Sequence, residues 1–463
     1  MTFSRKTMAL SRKTLTLSRK TLSPARVMVL GFLALILLGA LLLELPISSR
    51  DGVSVPFMTA LFTSTSATCI TGLAVTDTAQ TWSFFGQTVI LCLIQIGGLG
   101  FMSITTIFFF IMNKNIGLSQ RLLIVNSLNL KDMQGVVRLV RHVLIGTFVF
   151  EGVGAVVLWL RFLPEYGVWK GLGMGVFHSV SAFCNAGFDV MGDTGAFSSL
   201  TAYTGDAAVS ITVMALIFIG GLGFFVWEDV WRNRRFRKLH LHSKLVLTVS
   251  LGLVALGWVF FYITERTNPE TLGAMSFPDA ALASLFQAVT PRSGGLCTLD
   301  QASFTGVSMM MTMLLMLIGG SAGSTAGGIK NVTAGILFLS AISSLQGKSR
   351  LSVFGRTVPA PQIVGALSIL LVVLTAILAG SSAIALIQPE LPFSGILFET
   401  LSAIATCGLS LGITPSLGPA SMAIMILFMF FGRVGIITLG MAAFRNRGNV
   451  EKTKYPDTWI MMG

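Results

Sequence analysis

Four short apolar stretches of this chain each end in a turn of small residues and glycine, at Gly72, Gly187, Gly295 and Gly408, spaced a little over a hundred residues apart. One unit of about a quarter of the chain is therefore written four times, which predicts an internally repeated fold. A second marker follows each turn: Ile96-Gly97-Gly98-Leu99-Gly100, Ile219-Gly220-Gly221-Leu222-Gly223, Ile318-Gly319-Gly320-Ser321 and Phe431-Gly432-Arg433-Val434-Gly435. Four such units can close around an axis. In a membrane, that axis is a candidate pore.

The membrane follows from composition. With 53% hydrophobic and 11% charged residues, a 463-residue chain has too little polar surface to cover a water-soluble globule. Eight apolar segments, at 27–46, 83–112, 137–163, 207–231, 244–264, 302–337, 363–387 and 418–444, reach the length of about 20 residues that a span requires. Between the members of each pair lies a shorter one, at 57–68, 172–184, 279–290 and 393–405. These are too short to cross and read as re-entrant half-helices. The expected fold is an all-α membrane protein of four helix, pore-helix, helix repeats, with eight spanning helices and four re-entrant half-helices in a pseudo-fourfold arrangement around a pore. Its expected divisions are a basic cytosolic arm at 1–26, repeats at 27–112, 137–231, 244–337 and 363–444, and a cytosolic tail at 445–463.

Charge placement orients the chain. The net charge is +13, and most of the 32 Lys and Arg fall in the N-terminal arm, the tail and alternate loops. The positive-inside rule places these in the cytoplasm, which argues for lipid contact over nucleic acid. No cleavage site follows the first apolar segment, so the arm is expected to be retained. The acids concentrate in the other set of loops, where they would enrich cations at an outer mouth. Five cysteines form no CxxC pair and four histidines are scattered, so neither a zinc site nor a disulfide framework is indicated. Intramembrane acids reduce to Glu151 and Glu399, too few for a membrane enzyme.

Each half-helix runs into its turn: Thr68-Cys69-Ile70-Thr71-Gly72, Cys184-Asn185-Ala186-Gly187, Ser293-Gly294-Gly295 and Thr406-Cys407-Gly408. Non-helical backbone at membrane depth is tolerated only in protein or beside water, and glycine accepts the positive φ that turns carbonyls toward an axis. Carbonyl rings replace the hydration shell of a cation, and the half-helix C-termini add negative partial charge. These residues are the candidate filter. The cysteines beside the turns read as small space-fillers, and Arg292 is expected to point behind its turn. Close helix packing is the better account of the second marker in the first two units.

The last two units depart from that marker. Gly319-Gly320-Ser321-Ala322-Gly323-Ser324-Thr325-Ala326-Gly327-Gly328 inserts small residues mid-helix, and at about 1 kcal/mol per glycine relative to alanine it cannot stay a rigid helix. It is a candidate gate, the alternative being a packed, broken helix without that role. In the fourth unit Arg433 replaces a marker glycine. A guanidinium at that depth requires water or a partner, so Arg433 is expected to face the axis as a barrier to cations, to pair with Glu399 when the path opens, or to bond half-helix carbonyls.

On these motifs the chain resembles the Trk/Ktr/HKT superfamily of potassium transporters, through Ser66 to Leu73, Phe183 to Asp189, Thr290 to Leu296 and Gly432 to Gly435. The absence of an extra N-terminal helix pair and the Lys454 to Gly463 ending resemble the KtrB-type membrane subunit. The resemblance implies potassium uptake across a bacterial plasma (inner) membrane. It implies a homodimer on a cytosolic KtrA-type ring that binds ATP and ADP, a gate at Gly319 to Gly328 with Arg433, and no organic cofactor on this chain. A glycine in all four turns goes with potassium in that superfamily. A sodium-preferring or poorly selective monovalent cation transporter is the alternative.

Overall fold

The computed structural model describes residues 24–100, 136–193, 195–348 and 350–435. Nearly all of the basic arm, the far part of segment 83–112, the end of segment 418–444 and the tail at 445–463 lie outside the described residues. Helices dominate: α1 (Pro24–Glu44), α2 (Phe57–Thr68), α3 (Thr78–Thr81), α4 (Phe84–Leu99), α5 (Val136–Phe183), α6 (Ala207–Gly221), α7 (Phe224–Asn233), α8 (Leu241–Glu265), α9 (Phe277–Val289), α10 (Gly306–Leu317), α11 (Asn331–Leu345), α12 (Ala360–Ile387), α13 (Phe393–Ala405) and α14 (Pro419–Val434). A two-residue-per-strand hairpin, β1 (Ser352–Val353) and β2 (Arg356–Thr357), separates α11 from α12.

The outward faces are as apolar as the inward ones. On α12, Leu367, Leu371, Leu374 and Leu378 are exposed at helical spacing, while Ala366, Val373, Ile377 and Ile384 are buried on the opposite side. A helix apolar all round whose outer stripe finds no protein is built for lipid. Four helices among the described residues are long and apolar enough to cross a membrane: Arg26–Glu44, Val140–Phe183, Leu241–Glu265 and Ala360–Ile387. The protein is multi-pass.

The other expected spans are interrupted, and each interruption falls at the second marker. Gly100 and Gly435, with φ of 79° and 85°, cap α4 and α14. Gly223, with φ 91°, bends α7 away from α6 by 95°. The segment read as one span at 302–337 is two helices, α10 and α11, joined by a non-helical stretch. The long α5 is likewise two helices across Gly167, where φ is 74°.

Short helices bind these pieces together. The helix α2 packs on α14, α5 on α4, α9 on α6 and α13 on α10, which makes a closed cycle of contacts. Marker glycines permit the approach: a Cβ on Gly97, Gly220 or Gly432 would lie 2.1, 2.0 or 2.2 Å from the carbonyl oxygens of Thr68, Phe183 and Ile404. Any larger residue would push the marker helix off the end of the short helix.

Candidate functional site

Every short helix ends in the same unusual backbone. Ile70, Asn185, Ser293 and Thr406 have φ of 52°, 57°, 75° and 47°, and the glycines two residues later, Gly72, Gly187, Gly295 and Gly408, have φ of 92°, 71°, 71° and 93°. Left-handed backbone at a β-branched residue is strained. Here it recurs at Ile70 and Thr406. Alternating left-handed and ordinary residues turns successive carbonyls to one side, which a regular strand cannot do.

The four turns meet. A Cβ on Gly72 would stand 2.6 Å from the Ala186 oxygen and 2.9 Å from Gly187 Cα; one on Gly187 would stand 2.9 Å from Gly295 Cα. From Gly295 it would reach the Cys407 oxygen at 2.6 Å, and from Gly408 the Thr71 oxygen at 2.2 Å and Gly72 Cα at 3.1 Å. The contacts close on themselves in chain order. Only glycine fits in this ring, since backbone, not a flexible side chain, occupies the space a Cβ would need. Above it opens a cavity of about 500 Å³ lined by all four glycines and by Asp189, Asp300 and Ser410.

Hydroxyls hold the turns in place. The Gly72 and Gly408 N–H groups donate to Ser66 Oγ and Ser402 Oγ at 3.1 and 3.0 Å. Ser181 Oγ donates to the Phe188 carbonyl at 2.6 Å, and Thr290 Oγ1 to that of Leu296. Sequence reasoning gave these four residues no role. The available signal was a Ser or Thr at nearly constant distance before each glycine. Three further hydroxyls, of Thr68, Thr71 and Thr406, are buried without a hydrogen-bond partner, which is uncommon unless a ligand or water completes them.

Directly against the turns lies the stretch from Gly319 to Gly328. Thr325 Oγ1 donates to the Phe183 carbonyl at 3.1 Å and lies 2.8 Å from the Asn185 amide. Gly327 N–H donates to Ser293 Oγ at 3.1 Å, and Ser293 Oγ to the Thr406 carbonyl at 2.7 Å. The Ser321 and Thr325 N–H groups take the Gly221 and Gly220 carbonyls at 2.9 and 3.3 Å, and Lys330 Nζ holds the Ala326 carbonyl at 2.8 Å. Three of the four turns touch it through side chain or backbone: those of Asn185, Ser293 and Thr406.

Arg433 closes the same assembly. Its guanidinium donates to the carbonyls of Thr325 at 2.6 Å, Gly98 at 3.1 Å and Gly97. These oxygens belong to the loop and to the end of α4, so its carbonyl partners are not those of the half-helices. Glu399 faces elsewhere: it is buried and accepts from Ser410 Oγ, from Leu411 N–H at 3.1 Å and from Thr414 Oγ1 at 2.9 Å. Arg292 points behind its turn, as expected, donating to the Ser250 carbonyl and hydroxyl at 3.2 and 3.0 Å. Cys69, Cys184 and Cys407 are buried beside the turns.

Comparison with known proteins identifies relatives and a shared fold. The chain is 41% identical over 444 residues to the potassium/sodium uptake protein NtpJ of Enterococcus hirae, covering 95% of this chain and 97% of that one. It is 41% identical to the Ktr system potassium uptake protein B of Bacillus subtilis, covering 95% and 97%, and 37% identical to the protein of that name from Vibrio alginolyticus, covering 95% and 94%. The crystal structure of the potassium transporter TrkH from Vibrio parahaemolyticus superposes with a TM-score of 0.72 at 16% identity, over 93% of this chain and 86% of that one, which establishes a shared fold. The TrkH family, described as cation transport protein, matches residues 29–451. This chain, with its ring of glycine turns, belongs to the TrkH family of cation transport proteins.

Proposed function

We propose that this chain carries potassium across the bacterial plasma membrane through a pore whose filter is the ring of four glycine turns. One observation carries the reading: four left-handed turns crowd at one place, with the carbonyl oxygens of Thr71, Ala186 and Cys407 pressed toward neighbouring glycines. A dehydrated monovalent cation is the ligand such oxygens suit, and the C-terminal ends of four short helices add negative partial charge there. The partnerless hydroxyls of Thr68, Thr71 and Thr406 are further donors of lone pairs to a cation. The four units at 27–112, 137–231, 244–337 and 363–444 surround this path, the stretch from Gly319 to Gly328 obstructs it, and Arg433 holds the obstruction.

The same reading places both termini in the cytoplasm, where the Lys and Arg residues concentrate. Relatives named as parts of a Ktr system support a chain that works with other components, and we read these as a second copy of the chain and a cytosolic regulatory ring that binds ATP and ADP. A second reading, sodium use or weak selectivity, is favoured by the name potassium/sodium uptake protein carried by the relative from Enterococcus hirae. Isotope uptake into proteoliposomes, with potassium and sodium compared in wild type and Gly72→Ser, tests both. Potassium preference that the substitution erodes is expected; an unchanged preference would remove the filter assignment.

A further inference from the structure

The helix α7 leaves the apolar α6 at a bend of 95°, on the side of the ring opposite to the cavity, since Phe224 N–H donates to the Gly323 carbonyl of the obstructing loop at 2.9 Å. If α6 crosses the bilayer, α7 runs in the plane of its surface. Its composition suits that place. Phe224 and Val226 are buried, whereas Val230 (41% exposed) and Trp231 (78% exposed) face outward beside Arg232.

A buried carboxylate near the end of α7 shapes the adjoining loop. Asp229 accepts from Asn233 Nδ2 at 2.6 Å and from the His240 N–H at 2.9 Å, and the His240 ring nitrogen lies 2.7 Å from it. This clasp folds residues 229–240 into a tight loop. Arg234 turns left-handed at φ 50°, and Arg234, Arg235, Arg237 and Lys238 are all exposed. Lys244 Nζ anchors the loop's far limb through the Arg237 carbonyl at 2.9 Å, and Phe236 packs on Phe354 of the β1–β2 hairpin with centroids 6.0 Å apart. Five basic side chains are therefore presented on a braced loop next to an exposed tryptophan.

We propose that this clasped loop and the end of α7 form a binding site for anionic phospholipid headgroups of the adjoining leaflet. Tryptophan sits at the boundary between acyl chains and headgroups, and basic side chains held there attract anionic lipid. With α7 in the plane of the surface, the 78% exposed Trp231 next to the basic loop has the amphipathic, cationic character that suits a headgroup boundary. The site concerns lipid, not the ion, and stands or falls separately from the potassium reading.

The test uses the full-length protein in vesicles of phosphatidylcholine containing equal small fractions of phosphatidylglycerol, with one of the two lipids brominated near its headgroup. The chain has 7 tryptophans, so the Trp231 signal is taken as the difference between wild type and Trp231→Phe. Expected is quenching of that signal by brominated phosphatidylglycerol that reflects about fivefold local enrichment over brominated phosphatidylcholine, the contribution of a single well-placed basic side chain. Arg232→Gln/Arg234→Gln/Arg235→Gln/Arg237→Gln/Lys238→Gln should abolish the enrichment while Trp231 remains quenched. Equal quenching by the two lipids in wild type would overturn the proposal, and so would a Trp231 that neither lipid quenches, the result expected of a surface reserved for protein.

Discussion

Arg433 Nη1 donates to the Thr325 carbonyl at 2.6 Å, and the same guanidinium reaches Gly98 on α4. One side chain thereby ties the glycine-rich loop to a helix from a distant part of the sequence. Hydrogen bonds from a charged donor are worth about 1.5–3 kcal/mol each. Arg433→Gln is predicted to loosen the loop and raise ion flux into proteoliposomes about tenfold, since roughly 1.4 kcal/mol of lost closure is a factor of ten. Arg433→Lys should fall between, because lysine keeps the charge without the fork that spans two sites. Flux that falls in the Gln variant would show that Arg433 supports the path instead of closing it.

The ring glycines should differ in tolerance. A Cβ on Gly408 meets the Thr71 oxygen at 2.2 Å, whereas one on Gly187 meets nothing closer than 2.9 Å. Both positions are left-handed, at about 1–2 kcal/mol for any other residue. Gly408→Ala is therefore predicted to lower thermal stability and potassium-over-sodium uptake more than Gly187→Ala. A reversed order in both measurements would contradict the crowding argument.

Gly327 offers a probe of the loop itself. A Cβ there would lie 1.8 Å from Thr406 Oγ1, so Gly327→Ala must either rotate Thr406 or lift the loop from the fourth turn. The prediction is a protein that folds but leaks cation several-fold faster than wild type, on the order of one lost hydrogen bond's worth of closure. Gly365→Ala, in α12 where nothing lies within 4 Å, is the control and should leave flux unchanged. Equal flux in Gly327→Ala and the control would argue for a loop that is a fixed part of the wall.

Glu399 braces the fourth turn from above through Ser410, Leu411 and Thr414. Glu399→Leu orphans three donors, and a loss of about 3 kcal/mol of stability is expected. Glu399→Gln keeps one oxygen and should lose less. Thermal unfolding in detergent together with the potassium concentration at half-maximal uptake checks this; a Leu variant as stable as wild type would rule out the brace.

The glycine positions were legible in the sequence because no other residue tolerates their backbone, and the short helices because their apolar runs are too brief to span. Illegible was the left-handed residue two places before each glycine: Ile70, Asn185, Ser293 and Thr406 share no chemistry, and Ile70 and Thr406 prefer the opposite conformation. Tertiary packing imposes what local preference opposes. Continuous hydropathy likewise concealed the bend at Gly223, because apolar residues continue in sequence on both sides of it. The direction of Arg433 depends on which carbonyls the fold brings near, and those of Thr325 and Gly97 are remote in sequence.

Because the four turns come from one polypeptide, the residues ahead of the glycines can differ: Thr71, Ala186, Gly294 and Cys407. In an assembly of identical subunits any substitution is applied to every quadrant at once. With the ring as the proposed filter, each quadrant can drift alone, so ion preference would be retuned in small steps without ever dismantling the whole coordination shell.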